Sequence, residues 1–181
     1  MEREKAYLLV KDKISNNNLR KHILAVEADM KRLAVHFGED ENLWGLTGLL
    51  HDLDYEKTLK SPEKHTLITE KWLSEFDVAP QIIRGIKAHA GQIEPDSLME
   101  KAIYAVDPTT GLIVASALMH PSKKLAELDV DFLNRRFKEK RFAAGARRED
   151  ILTCENIGLS LDEFLQLCLE GMQSISDELG L

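Results

Sequence analysis

Apolar residues recur at three- and four-residue spacing along nearly the whole chain, and no stretch alternates in twos with β-branched enrichment. The pattern predicts an all-α fold, a helical bundle. Ile23, Val26, Met30, Leu33 and Phe37 form one stripe of a helix over residues 19–37, with Asn18 as its N-cap and Gly38 as its stop. After Glu39-Asp40-Glu41 comes LWGLTGLL, apolar on almost every side, which predicts a helix buried in the centre of the bundle and ending at His51-Asp52. Pro62 suits the first turn of a helix carrying Ile68, Trp72, Leu73 and Phe76, and Pro80 opens another with Ile82, Ile83 and Ile86 that closes near Gly91. Residues 97–119 are helical in pattern, with Pro108 expected to kink or break them by removing a backbone donor. A final amphipathic helix is predicted over Leu161–Leu179, packed over the core as a lid or brace.

The chain has 181 residues, 44% hydrophobic and 30% charged, a balance that excludes disordered and low-complexity classes and suits one domain over residues 1–181. Its two cysteines, Cys154 and Cys168, are too few to staple a secreted scaffold and read as core filler, so a cytoplasmic setting is expected. The N-terminal MEREKAYLLVKDK is charged where a signal peptide would be apolar, and no stretch reads as a membrane span, so no membrane association is expected. A net charge of -7 disfavours general nucleic-acid binding. Charge is uneven, however: residues 123–148 hold nine Lys/Arg against four acids, a +5 segment in a chain that is otherwise -12.

Six polar side chains fall on the apolar stripes, where an unpartnered group costs several kcal/mol. His22 lies four residues before Val26, His65 three before Ile68, His89 three after Ile86, and Asp107 four after Ile103. His51-Asp52 ends the most apolar helix, where the helix dipole favours a cation. Any one of these alone reads as a satisfied core residue; six of them on five consecutive helical segments point to a metal centre at the bundle axis. Imidazole and carboxylate without cysteine suit one or two divalent ions, Mn, Fe, Co, Ni or Zn, with Mg where water is retained. His36 and His120 lie off the stripes, near a helix end and in a turn.

The ordered set His22, His51-Asp52, Asp107, in the contexts KHILAVEADMKRLA, GLLHDLDYE and AIYAVDPTTGLIVA, resembles the HD-domain superfamily of metal-dependent phosphohydrolases. That resemblance covers about residues 18–120, leaving about 121–181 as a C-terminal helical extension. Through HDLDYE, YAVDPTTGLIVA, RRFKEKRFA and EFLQLCLEGMQSISDELGL the whole chain is similar to a group of small bacterial and archaeal HDIG-related predicted hydrolases. Leu53-Asp54 stands where the HDIG form has Ile-Gly. The resemblance implies that His22, His51, Asp52 and Asp107 hold a first metal, and that Asp52, His65 and His89 hold a second, with Asp52 bridging.

It also implies hydrolysis of a phosphate ester, mono- or diester, by a metal-activated water on a nucleotide-like or other small phosphorylated substrate. Asp54 and Glu56 follow the HD pair closely enough to be candidates for protonating the leaving group, with solvated carboxylates as the plainer reading. Lys87, Lys123, Lys124, Arg135 and Arg136 are candidate phosphate anchors, against the alternative of a solvated basic face whose Phe132, Phe137 and Phe142 pack inward. Thr109-Thr110-Gly111 could bring hydroxyls to the substrate or cap a helix restarting after Pro108. Two other functions stay open, a di-iron oxygenase of the two-metal branch and a non-catalytic sensor of a phosphorylated ligand. The apolar face of the last helix could pair two copies into a homodimer, and packing within one chain explains it equally.

Overall fold

The computed structural model describes residues 1–181 and contains helices and turns with no strand. In chain order the helices are α1 (Arg3–Lys13), α2 (Asn17–Phe37), α3 (Glu41–Leu50), α4 (Tyr55–Thr58), α5 (Leu67–Leu73) and α6 (Pro80–His89). They are followed by α7 (Leu98–Met119), α8 (Val130–Lys138), α9 (Arg148–Ile151), α10 (Leu161–Gln173) and α11 (Ser176–Leu179). The all-α expectation holds.

Helix α2 is the axis, packed against α3, α7 and α10. Its cap is Asn16 rather than Asn18: the Asn16 side chain accepts from the backbone N–H groups of Asn18 and Leu19 at 2.8 and 3.3 Å. Gly38 ends the helix in the left-handed conformation at φ 68°, as its position predicts. Helix α3 is capped by Asp40 and lies so close to α2 that a Cβ on Gly48 would sit 2.8 Å from the Val26 carbonyl oxygen. That approach is what brings the His51-Asp52 pair, just past the end of α3, against His22 on α2.

The main core gathers α2, α7 and α10, with Met30, Leu33, Ile103, Ile113, Phe164, Leu165 and Met172 fully buried. A second cluster joins α1, α2, α3, α5 and α6 through Val10, Ile23, Leu49, Leu50, Leu73 and Ile86. Helix α1 has no counterpart in the periodicity analysis. The apolar face of α10 is buried inside this chain, and Cys154 and Cys168 are free thiols in the main core.

Three expectations are corrected. Helix α7 runs unbroken through Pro108. Tyr104, Pro108 and Gly111 share the flank that lines an open cavity, so the missing donor falls on the side water reaches, while Ala105, Val106, Leu112 and Ile113 bury the opposite side. Second, the C-terminal helix is interrupted at Ser174-Ile175, dividing α10 from α11. Third, His65 is not helical. It lies between a 3-10 turn over Pro62–Lys64 and α5, next to Thr66 at φ 70°. Helix α7 is also long and apolar enough to cross a membrane by length and composition; 56% of that stretch is buried inside this protein, with Asp107 at its middle.

Candidate metal centre

Five segments converge on one point. From α2 comes His22, from the end of α3 His51 and Asp52, from the loop before α5 His65, from the last residue of α6 His89, and from the middle of α7 Asp107. The His22 Nε2 atom lies 3.1 Å from Asp107 Oδ1, 3.8 Å from Asp52 Oδ2 and 3.2 Å from His51 Nε2. His51 Nε2 is 3.6 Å from Asp52 Oδ2 and 3.8 Å from Asp107 Oδ1. On the other side of Asp52, its Oδ1 is 3.2 Å from His65 Nε2 and 3.5 Å from His89 Nε2, and those two nitrogens are 3.2 Å apart. The donor atoms therefore form two adjacent groups that share the Asp52 carboxylate, one oxygen facing each.

The far side of every ring explains why these nitrogens face inward. His51 Nδ1 donates to the Gly48 carbonyl at 2.7 Å, and His89 Nδ1 to the Ile86 carbonyl at 2.6 Å. His65 Nδ1 donates to Asp54 Oδ1 at 2.8 Å. His22 Nδ1 meets the Thr110 hydroxyl at 2.9 Å; that hydroxyl itself donates to the Asp107 carbonyl, so it accepts from the ring. With each Nδ1 proton committed, four Nε2 lone pairs and three carboxylate oxygens point at one another. Imidazole nitrogens 3.2 Å apart that both carry lone pairs repel unless a cation stands between them. This donor set fits divalent metal of the imidazole and carboxylate class.

Without metal, protons take part of that cationic role. Burial lowers the His51 pKa to about 4, outweighing the pull of Asp52 and Asp107, so its ring is neutral. Burial also works against the charged form of His65, but hydrogen bonds and attraction from Asp52 and Asp54 raise it to about 9. At His22 burial is likewise overcome, by Asp107, and the pKa is raised. Burial alone would push both aspartates up; Asp52 is instead held well below the usual carboxylate range by His51, His65 and His89, and Asp107 is held down by His22.

The remaining candidates divide. Asp54 is fully buried behind His65 and also accepts from the backbone N–H groups of Thr66 and Thr69 at 3.2 and 2.9 Å. These bonds overcome burial and hold its carboxyl below its ordinary range, so it orients His65 and has no proton to give. Glu56 is engaged elsewhere, accepting from the Ser15 and Asn16 backbone N–H groups at 3.1 and 2.6 Å. Lys87 is paired with Glu70 at 3.0 Å. Arg136 pairs with Glu139 at 2.9 Å, and both Arg135 and Arg136 lie over the Phe132 ring. Lys123 and Lys124 are exposed, Lys123 at φ 54°. None of these five cations lines the cavity in front of the metal-ligand cluster.

That cavity, about 540 Å³, is bounded by His22, His89, Asp107, Tyr104, Arg147 and Asp150. Its cation is Arg147, poised between Glu149 at 3.0 Å and Asp150 at 3.3 Å; the Tyr104 hydroxyl donates to Asp150 at 3.1 Å. One wall is the 143–147 turn, which hangs on the neighbouring Arg148: its guanidinium donates to the carbonyls of Phe137, Ala143, Ala146 and Phe142 at 2.5–3.0 Å. In the sequence Arg147 and Arg148 are two of nine cations in one basic run, and nothing in their spacing sets them apart. Thr110 was legible only as a hydroxyl near Asp107.

The family profile described as HD domain matches residues 19–120. The chain is 27% identical to "Ribonuclease Y" of Sulfurovum sp. (strain NBC37-1) over 164 residues, covering 89% of this chain and 32% of that protein. It is 27% identical to "Ribonuclease Y" of Bacillus thuringiensis (strain Al Hakam) over 135 residues, 73% of this chain and 26% of that protein. The chain thus spans about a third or less of the length of these curated relatives. No solved structure matches it. With the profile covering more than half of its residues and the His and Asp signature gathered at one centre, the chain belongs to the HD-domain family.

Proposed function

We propose that this protein is a metal-dependent phosphohydrolase acting on a small phosphorylated substrate, with His22, His51, Asp52 and Asp107 holding one divalent ion and Asp52, His65 and His89 a second. The observation that carries this reading is the shared Asp52 carboxylate, whose Oδ2 lies 3.6–3.8 Å from His51 and His22 and whose Oδ1 lies 3.2–3.5 Å from His65 and His89. Bound metal supplies an activated water and neutralises charge on the phosphoryl oxygens. The chain's own residues do the rest. Thr110, Gly48, Asp54 and Ile86 keep each imidazole in the tautomer that offers Nε2. Arg147, held loosely by two carboxylates at the cavity mouth, can exchange them for a phosphate, with a fork that matches its oxygens. Asp107, Tyr104 and Asp150 give the cavity a polar wall that admits water. The reaction adds water at phosphorus, breaks one P–O bond and releases the alcohol with a proton from solvent.

The name Ribonuclease Y carried by the relatives raises RNA as a second substrate class, since a phosphodiester belongs to the same reaction type. The single arginine at this cavity, flanked by Glu149 and Asp150, together with a net charge of -7, favours a small molecule over a polyanion. The test is phosphate or alcohol release with Mn or Mg from a panel of phosphomonoesters, dinucleotides and a short single-stranded RNA. Turnover that disappears in Asp52→Ala supports the reading. Oxygen consumption by an iron-loaded protein without phosphate release would move it to the di-iron oxygenase, and tight ligand binding without turnover of any ester would move it to a sensor.

A further inference from the structure

A second cavity opens on the other side of His22. It measures about 430 Å³, within the range of roughly 300–1,000 Å³ typical of ligand sites, and its walls include Val114, Leu118, Leu179 and Leu181. His22 and Gly111 line both this groove and the polar cavity that holds Arg147, so the two chambers adjoin at these two residues, the groove lying on the Thr110 side of the His22 ring. Gly111 sits in the interior of α7, where glycine is a poor helix former, yet a Cβ there would meet nothing within 4 Å. The space over Gly111 is open passage.

Resting on the phosphohydrolase reading, we infer that this groove takes the leaving-group side of the substrate, and that this side is aliphatic: an alkyl or similarly branched apolar phosphate ester. The Lys21 ammonium at its edge donates to the Leu179 carbonyl at 2.6 Å, which holds it at the rim, while Val114, Leu118, Leu179 and Leu181 supply the apolar walls. It has no Phe, Tyr, Trp or Arg on which a nucleobase could stack, and its one ring, the His22 imidazole, is engaged by Thr110 and His51. Leu118, 53% exposed at its lip and about three turns along α7 from Asp107, is an apolar side chain left uncovered at the far end of the groove. Phosphate at the metal-ligand cluster would face Arg147 on one side, and the ester oxygen would direct its carbon chain across Gly111 on the other.

The test separates this inference from the hydrolase reading by measuring binding without turnover. Calorimetric titration of the manganese-loaded full chain with alkylphosphonates of two, four, six and eight carbons should show affinity rising by at least about 4-fold per added pair of methylenes, as for a half-buried chain. Leu118→Asp and Gly111→Leu should flatten that series, with metal content and helical signal as the check of fold. A flat series in the unaltered protein, an unchanged slope in both variants, or a nucleoside monophosphate binding more tightly than octylphosphonate and indifferent to Leu118→Asp would each overturn it. Chain-length dependence of binding with no hydrolysis of the matching alkyl phosphates would leave the groove standing and remove the hydrolase reading alone.

Discussion

Asp54 Oδ1 accepts the Nδ1 proton of His65 at 2.8 Å, while the other ring nitrogen of His65 faces Asp52 at 3.2 Å. The imidazole is thus clamped between two carboxylates, one buried behind it and one at the centre. Asp54→Asn keeps the shape but removes the negative charge that fixes the tautomer. It should weaken binding of the second ion by about 10- to 100-fold and leave the first nearly unchanged. Metal titration monitored by elemental analysis after dialysis checks this; equal loss of both ions would contradict it.

Protonation of the imidazoles at the centre sets the pH dependence of metal loading. His65, raised to about 9, carries a proton at neutral pH in the metal-free chain, and His51, lowered to about 4, does not; Asp107 shifts His22 upward as well. Metal must displace the His65 proton, so affinity should fall as the pH drops from 9 towards 6 and binding at pH 7 should release at least about one proton. For the metal-free protein the sign is the reverse. The raised His65 contributes stability that is full below its unfolded value near 6.5 and is lost as pH rises through about 9. Titrations in two buffers of different ionisation enthalpy count the released protons; none released at pH 7 would refute the assignment.

Asp29 lies fully buried on α2 against Gly171 of α10, and neither carboxylate oxygen makes a hydrogen bond. Burial pushes its pKa well above the usual value, with only a small opposing pull from the Cys168 thiol. Because the folded chain holds this proton more tightly than the unfolded one, stability should decline as pH rises above about 4. Asp29→Asn should remove that decline and raise stability at pH 8 by about 1–3 kcal/mol. Urea unfolding at pH 5 and pH 8 decides the matter; a variant less stable than the parent at pH 8 would show that the carboxylate has a partner.

Gly48 couples packing to the centre. A Cβ there would lie 2.8 Å from the Val26 carbonyl oxygen and 2.9 Å from the Glu27 backbone, and the Gly48 carbonyl holds His51. Gly48→Ala should push α3 away from α2 at a cost of about 1–3 kcal/mol and reduce metal retention together with thermal stability. Retention of both would mean that the two helices are not packed this closely.

How much of this was legible beforehand follows from what kind of contact each residue makes. Helical periodicity marked α2, α3, α6 and α7 because each buries one face in a common core, and the same stripes exposed His22, His89 and Asp107 as polar intruders. Conformation at His65 was misread because Thr66 adopts φ 70°, a backbone state with no sequence signature in threonine. Pro108 misled for the opposite reason: tertiary packing on three sides of α7 holds a helix that local propensity would interrupt. Asp54 was recognised as close to the HD pair, but its role behind His65 depends on a loop closure eleven residues later. Arg147 and Arg148 sit side by side in a basic run and do different jobs, one facing the cavity and one tying down four carbonyls of its wall; only tertiary structure separates them.

The most direct measurement is the number of divalent ions per chain in protein purified without chelators, compared with Asp52→Ala and His65→Ala. Convergence of the six side chains implies about two ions in the parent, about one in His65→Ala and fewer than one in Asp52→Ala. A parent chain that holds none when supplied with Mn, Fe or Zn, or variants that bind as much as the parent, would contradict it.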